Sequence, residues 1–206
     1  MNHIAKLLRE AGLKAKNGKG FKYSKPNSGL FNIKPNVLGR CFTAKKPNEK
    51  WVTDITYIYV KNQWMYLSVV MDLFSRAIVG WAFDKQMTDT LICSALDMAL
   101  SRRDISKGLL VHSDQGVQYR SFWYQSKLRE NGCRISMSRR GNCWDNAAVE
   151  SFFSRLKVEL IFGEKFTTLE HAKRDIFEYI EIFYNRQRRH SANGYVSPMQ
   201  YIQLNL

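Results

Sequence analysis

The chain has 206 residues, 45% hydrophobic and 13% aromatic, which is enough for one medium domain with its own core plus an arm. It has no run of eighteen apolar residues and no apolar segment behind its N-terminus, so neither a membrane span nor export is indicated and a cytoplasmic setting follows by default. The net charge of +14 points to a polyanionic partner, and it is unevenly placed: residues 1–50 carry 12 Lys or Arg against 2 Glu, residues 51–206 carry 20 against 16.

Residues 2–13 read as the end of a short helix, with Ile4, Leu7, Leu8 and Leu13 apolar and Gly12 near its stop. Residues 14–50 hold Pro26, Pro35 and Pro47 with scattered glycines and lysines, the texture of a linker and not of a core. A boundary near 48 therefore separates a basic, largely irregular arm, 1–48, from a body, 49–206. In the body, 51–60, 64–71 and 77–83 are rich in Val, Ile, Tyr and Trp and predict three hairpin-connected strands, with a turn around Phe74, Ser75 and Arg76. Thr88 or Asp89 then caps a helix through about Arg102, with Leu91, Ile92, Ala95, Leu96 and Ala99 on one face. A short buried strand over 108–112, a helix over 120–131, a strand over 134–138 and a glycine-bearing loop follow, before a last helix that carries Glu150. This β-β-β-α-β-α-β-α order is that of an α/β domain with a mixed sheet: three antiparallel strands, then alternating helices and strands.

Cys41, Cys93, Cys133 and Cys143 form no Cys-x-x-Cys pair and the four histidines lack zinc-finger spacing, so the thiols read as reduced packing residues. The chemistry lies in three carboxylates. Asp54 projects from the middle of the first strand in a row with Val52, Thr56 and Ile58, where an isolated charge is costly. Asp114 lies just past a buried strand, where open α/β sheets place their ligand groups, and Gly116 lets the chain turn away. Glu150 and Lys157 sit beside the apolar stripe Val149, Phe152, Phe153, Leu156 and Leu160 of the last helix. Three acids brought together repel one another and take up protons unless cations neutralise them, so a divalent-metal site suited to phosphodiester chemistry is the economical reading. His112 is either a hydrogen-bonded packing residue or, in the second sphere, a ligand or proton shuttle, and Arg139 and Arg140 either contact phosphates or form a solvated turn.

The strings W-V-T-D-I-T-Y-I around Asp54, H-S-D-Q-G-V-Q-Y around Asp114 and D-N-A-A-V-E-S-F-F-S-R-L-K around Glu150, with 35 residues between the last two acids, resemble the integrase catalytic core of bacterial insertion-sequence transposases of the OrfB type. That core is related to retroviral integrases. The resemblance covers about residues 51–202 and includes Y-N-R-Q-R-R-H from Tyr184 and S-P-M-Q-Y from Ser197. It implies a ribonuclease H-like fold in which Asp54, Asp114 and Glu150 bind two Mg²⁺ or Mn²⁺ ions and Lys157 touches DNA near the cleaved end; Arg139 and Arg140 remain candidate DNA contacts, and the run from Arg186 either contacts phosphates or only complements a helix dipole. Transposon ends and target DNA are the implied partners, with a homo-oligomer assembled on them in a bacterial, nucleoid-associated setting.

Relatives of this type carry more sequence upstream, including a helix-turn-helix-like segment, so a separate or fused N-terminal product is the expected source of end recognition. Two functions follow: a metal-dependent strand transferase, or a truncated, catalytically silent remnant that binds DNA or interferes with a full-length copy. A hydrolytic nuclease of the same fold fits the acid spacing less well.

Overall fold

In the computed structural model, which describes residues 32–206, alternation of β-branched and aromatic residues gives β1 (Lys50–Val60), β2 (Gln63–Asp72) and β3 (Ile78–Asp84). Two short strands, β4 (Leu110–Ser113) and β5 (Arg134–Met137), complete a five-stranded sheet in the order β3-β2-β1-β4-β5. The first three strands are antiparallel; β4 runs parallel to β1, and β5 parallel to β4. The β4 strand begins later than the sequence suggests because Gly108 takes a left-handed φ of +94°, which no strand residue adopts. The expected helix 2–13 and the first part of the arm lie outside the described residues.

Each face of the sheet carries one apolar layer. Helix α1 (Asp89–Arg102) buries the five residues expected of it and lies close against β3. The approach is permitted by Gly80, since a Cβ there would overlap the Ala95 carbonyl and come within 2.7 Å of the Ala99 amide. Helix α2 (Phe122–Glu130) is shorter than the expected 120–131, because the Ser121 side chain accepts the Tyr124 N–H and fixes its start. On the opposite face α3 (Ala147–Glu159) buries Val149, Phe152, Phe153 and Leu156 against Val52, Ile58 and Leu67. Leu160 falls just beyond the last turn and is only partly buried.

Beyond α3 the chain adds α4 (Leu169–Phe177), which continues as a π-helical segment Glu178–Tyr184, and α5 (Pro198–Leu204), opened by a reciprocal Ser197–Gln200 capping box. Two buried asparagines tie this part to the sheet: Asn185 pairs with both the N–H and C=O of Ile78 at 2.9 Å, and Asn193 donates to the Ser75 carbonyl at 2.7 Å.

The described part of the arm departs from the linker reading. Residues 32–48 form no strand, yet Leu38 is buried in the core and the Val37 and Leu38 amides donate to Ser136 Oγ at 2.9 and 3.1 Å. Proline and lysine content signalled the lack of regular structure; it carried no information on whether an irregular segment docks.

Candidate active site

The parallel register of β1 and β4 pairs Lys50 with Leu110, Trp51 with Val111 and Val52 with His112. Continued two residues, the same offset sets Asp54 level with Asp114. Pairing stops at Val52, so the two strands part just where the acids stand, leaving the crevice beyond parallel strand ends that α/β sheets use for ligands. Helix α3 supplies the third acid from its first turn. The helix start is fixed by Asn146, which is buried and donates to the Thr53 carbonyl, one residue before Asp54, at 3.4 Å.

The crevice is electrostatically unsatisfied. Burial and the negative charges of Asp114 and Glu150 push the Asp54 carboxyl up to about 7, against one N–H from Ile55 at 2.8 Å. Asp114 is also raised, chiefly by burial, with the Gly116 N–H at 2.8 Å and the Arg120 charge pulling the other way. Glu150, the most exposed of the three, is raised by partial desolvation. Gly116 has a steric role here, because a Cβ at that position would stand 2.9 Å from Asp114 Oδ1. Beneath the acids, Tyr119 is buried and shares a hydrogen bond with Thr53 Oγ1 at 3.3 Å.

His112 is buried and its Nδ1 lies 2.8 Å from Ser136 Oγ. That oxygen already accepts the Val37 and Leu38 amides, so its hydrogen goes to Nδ1 and the imidazole proton resides on Nε2. Burial lowers the His112 pKa to about 4, so the ring is a neutral brace behind the site at physiological pH.

The basic residues divide. Arg139 does not project freely: its guanidinium clasps Asp145 at 2.9 and 2.8 Å, while Arg40 Nε and Asn36 Nδ2 reach the same carboxylate at 2.8 and 2.9 Å. Arg140 is exposed and makes no ion pair among the described residues. Arg188 is committed to Glu159 of α3 through contacts of 2.7 to 3.0 Å, whereas Arg186 and Arg189 are exposed. The Lys157 ammonium sits 4.7 Å over the Tyr57 ring.

Asp145 and Asn146 are the anchors that sequence reasoning missed. Both lie in the motif around Glu150, but nothing local tells that Asp145 is held by residues about a hundred positions earlier. Elsewhere, Glu164, His171 and Asp175 bring ligand atoms within 4.8 Å of one another. His171 and Arg174 already pair with Asp175 at 3.0 Å, which is an ion-paired helix surface.

Two family models described as integrase core domain match residues 44–143 and 150–206. The transposase InsF for insertion sequence IS3A of Escherichia coli K12 is 46% identical over 203 residues, covering 98% of this chain and 70% of that protein. This chain belongs to the integrase-core transposases of insertion sequences. The transposase for element IS904 of Lactococcus lactis is 43% identical over 203 residues, 98% of this chain and 80% of the relative. Among solved structures, an integrase of the simian T-cell lymphotropic virus intasome superposes with a TM-score of 0.65 at 19% identity, over 78% of this chain and 56% of that one. The HTLV-2 integrase catalytic core in complex with magnesium gives 0.57 at 19% identity, over 76% and 97%. At that identity the likeness is one of fold, and it makes the sheet of this transposase-family chain ribonuclease H-like.

Proposed function

We propose that this chain is the catalytic core of a DNA transposase that cleaves strands at the ends of an insertion sequence and joins a 3′-hydroxyl to target DNA. The observation that carries the reading is the meeting of Asp54, Asp114 and Glu150 at the parted ends of β1 and β4, with no cation among the described residues placed to neutralise all three. The donor set fits a hard divalent ion: carboxylate oxygens only, mutually repelling, and shielded enough to hold protons in place of a missing positive charge. Two Mg²⁺ or Mn²⁺ ions held by these acids would supply activation of the attacking water or 3′-hydroxyl and charge neutralisation at the leaving oxygen. The magnesium bound by the HTLV-2 core is in keeping with that.

The protein's own residues do the positioning. Asn146 holds the start of α3 at the Asp54 strand, Gly116 leaves room beside Asp114, and Tyr119 closes the floor against water. Lys157 and Arg140 are proposed contacts to the phosphate backbone of the DNA end; Arg139 acts instead through the loop it braces. The arm, 1–48, with its lysines, is proposed as additional nonspecific DNA contact, and a dimer or larger assembly on paired ends in the bacterial cytoplasm as the working state.

The deciding experiment is a Mn²⁺-dependent assay on labelled duplex carrying the ends of the chain's own element, with Glu150→Gln as control. Nicked or joined products that vanish in the control support the proposal; DNA binding without either product, in the chain alone and with any upstream partner supplied, would sink it.

A further inference from the structure

At the far end of the β1–β2 hairpin, Tyr57, Tyr59 and Trp64 stand 57%, 51% and 53% exposed. They form one cluster: Trp64 meets Tyr57 edge-on at 5.1 Å between centroids and Tyr59 at 5.0 Å. The two tyrosines alternate with buried Ile58 and Val60, so they project from the sheet face opposite the α3 core, at an end that no helix among the described residues covers. A directly opposed Tyr59–Trp64 pair steadies a hairpin, but that role requires neither a third exposed ring nor an ammonium over it.

Lys157 links this cluster to the acids. It follows Glu150 by seven residues on α3, roughly 10 Å along the axis. Tyr57 follows Asp54 by three residues on β1, again roughly 10 Å. Along these axes the offset is about three stacked nucleotides, and because Asp54 shares the α3 face with Val52 and Ile58, a strand reaches the rings by passing the edge of β1. On the side toward β4, β1 has no strand partner beyond Val52 among the described residues, so the way from crevice to rings is not roofed by the sheet. Lys61, in the hairpin turn, adds an exposed positive charge beyond Tyr59.

We propose that Tyr57, Tyr59 and Trp64, flanked by Lys157 and Lys61, form a stacking platform for unpaired bases of the DNA strand leaving the acidic crevice. Half-exposed aromatic rings beside ammonium groups suit bases and phosphates together, without preference for sequence. The inference rests on the crevice being the place where DNA is processed. It adds that the end must be frayed there, with unpaired bases held on these rings.

The test is fluorescence anisotropy with two probes, a blunt duplex and the same duplex bearing a single-stranded thymine tail, in EDTA so that no chemistry occurs. Trp64→Leu and the Tyr57→Leu/Tyr59→Leu pair should each weaken binding of the tailed probe about tenfold while changing the blunt probe less than about twofold. The salt dependence of tailed binding should keep its slope, since no charge is lost. Trp64→Tyr, which keeps a ring, should restore most of the tail preference, separating stacking from damage to the hairpin.

Equal losses on both probes, or no loss on either, would overturn the proposal. So would lost self-association in sedimentation with DNA binding intact, because the rings would then be covering a second copy. Tail-selective binding in a chain that never cleaves would instead leave the platform standing and count against the catalytic reading alone.

Discussion

Asp54 and Asp145 are both shielded carboxylates within reach of α3, and the molecule treats them oppositely. Asp145 is wrapped by Arg139, Arg40 and Asn36, and hydrogen bonds from Arg139 hold its carboxyl far below the usual carboxylate range. Its side chain is inaccessible, yet the guanidiniums that cover it are 46% and 59% exposed, so the cover is thin. Asp54 receives one backbone N–H and two like charges, and its carboxyl rises to about 7. The fold gathers three donors around one acid and leaves the other facing its own kind, the arrangement on which the proposed cation site rests. The paired acid stabilises the loop before α3; the unpaired one costs stability.

The largest expected effect lies on the unpaired side. Asp54→Asn, Asp114→Asn or Glu150→Gln should each lower Mn²⁺-dependent strand cleavage by about a thousandfold or more, since each removes charge from the proposed metal ligands, while duplex binding stays within about twofold. Gel-resolved cleavage beside anisotropy checks this. Full activity in all three variants would show that the comparison has been drawn around the wrong acids.

Next in size is the pH dependence of metal binding. A carboxyl raised to about 7 must release its proton before it can ligate, so Mn²⁺ affinity measured calorimetrically should fall about tenfold per pH unit below 7 and level off above it. Asp54→Asn should remove that slope along with most of the affinity.

Stability sharpens the contrast because the two acids predict opposite signs. A depressed pKa contributes stability above the ordinary carboxylate value and loses it as acid protonates the group; a raised pKa costs stability progressively as pH rises from about 4 through 7. Asp145→Asn should therefore destabilise by about 2 kcal/mol at pH 8, less than a deeply buried pair because its partners are half exposed, and its deficit should shrink in acid. Metal-free Asp54→Asn should be more stable than the parent by about 1–2 kcal/mol at pH 8 and no different at pH 4. Denaturant melts at the two pH values decide it; the same sign for both variants would erase the distinction.

How much of this was legible in the sequence follows the range of the interactions. Strands 51–60 and 64–71 and the face of α1 are set by periodicities within a dozen residues, and the structure follows them closely. The meeting of Asp54, Asp114 and Glu150 was expected because each acid sits in a distinctive string, although only the parallel β1–β4 register sets Asp54 level with Asp114. The docking of 32–48 was not legible. It rests on Leu38 filling a gap in the core and on Ser136 meeting two amides about a hundred residues away, and neither leaves a local pattern. The split between α4 and its π-helical continuation was equally hidden, since a shift from four- to five-residue hydrogen bonding does not change which residue types are used.

The smallest predicted effect separates two adjacent arginines that the sequence treats alike. Arg139 spends its guanidinium on Asp145, so Arg139→Ala should act first on the fold, lowering the melting temperature and loosening the loop before α3. Arg140 is exposed and has no ion pair among the described residues to lose. Arg140→Ala should leave the melting temperature unchanged, weaken duplex binding about two- to threefold, and lower the salt-dependence slope by about one. Anisotropy across a salt series, paired with thermal melts of both variants, distinguishes them. If Arg139→Ala changes the slope and Arg140→Ala does not, the bidentate grip on Asp145 must open when DNA binds, and the paired acid would belong to the DNA-binding machinery as well as to the scaffold.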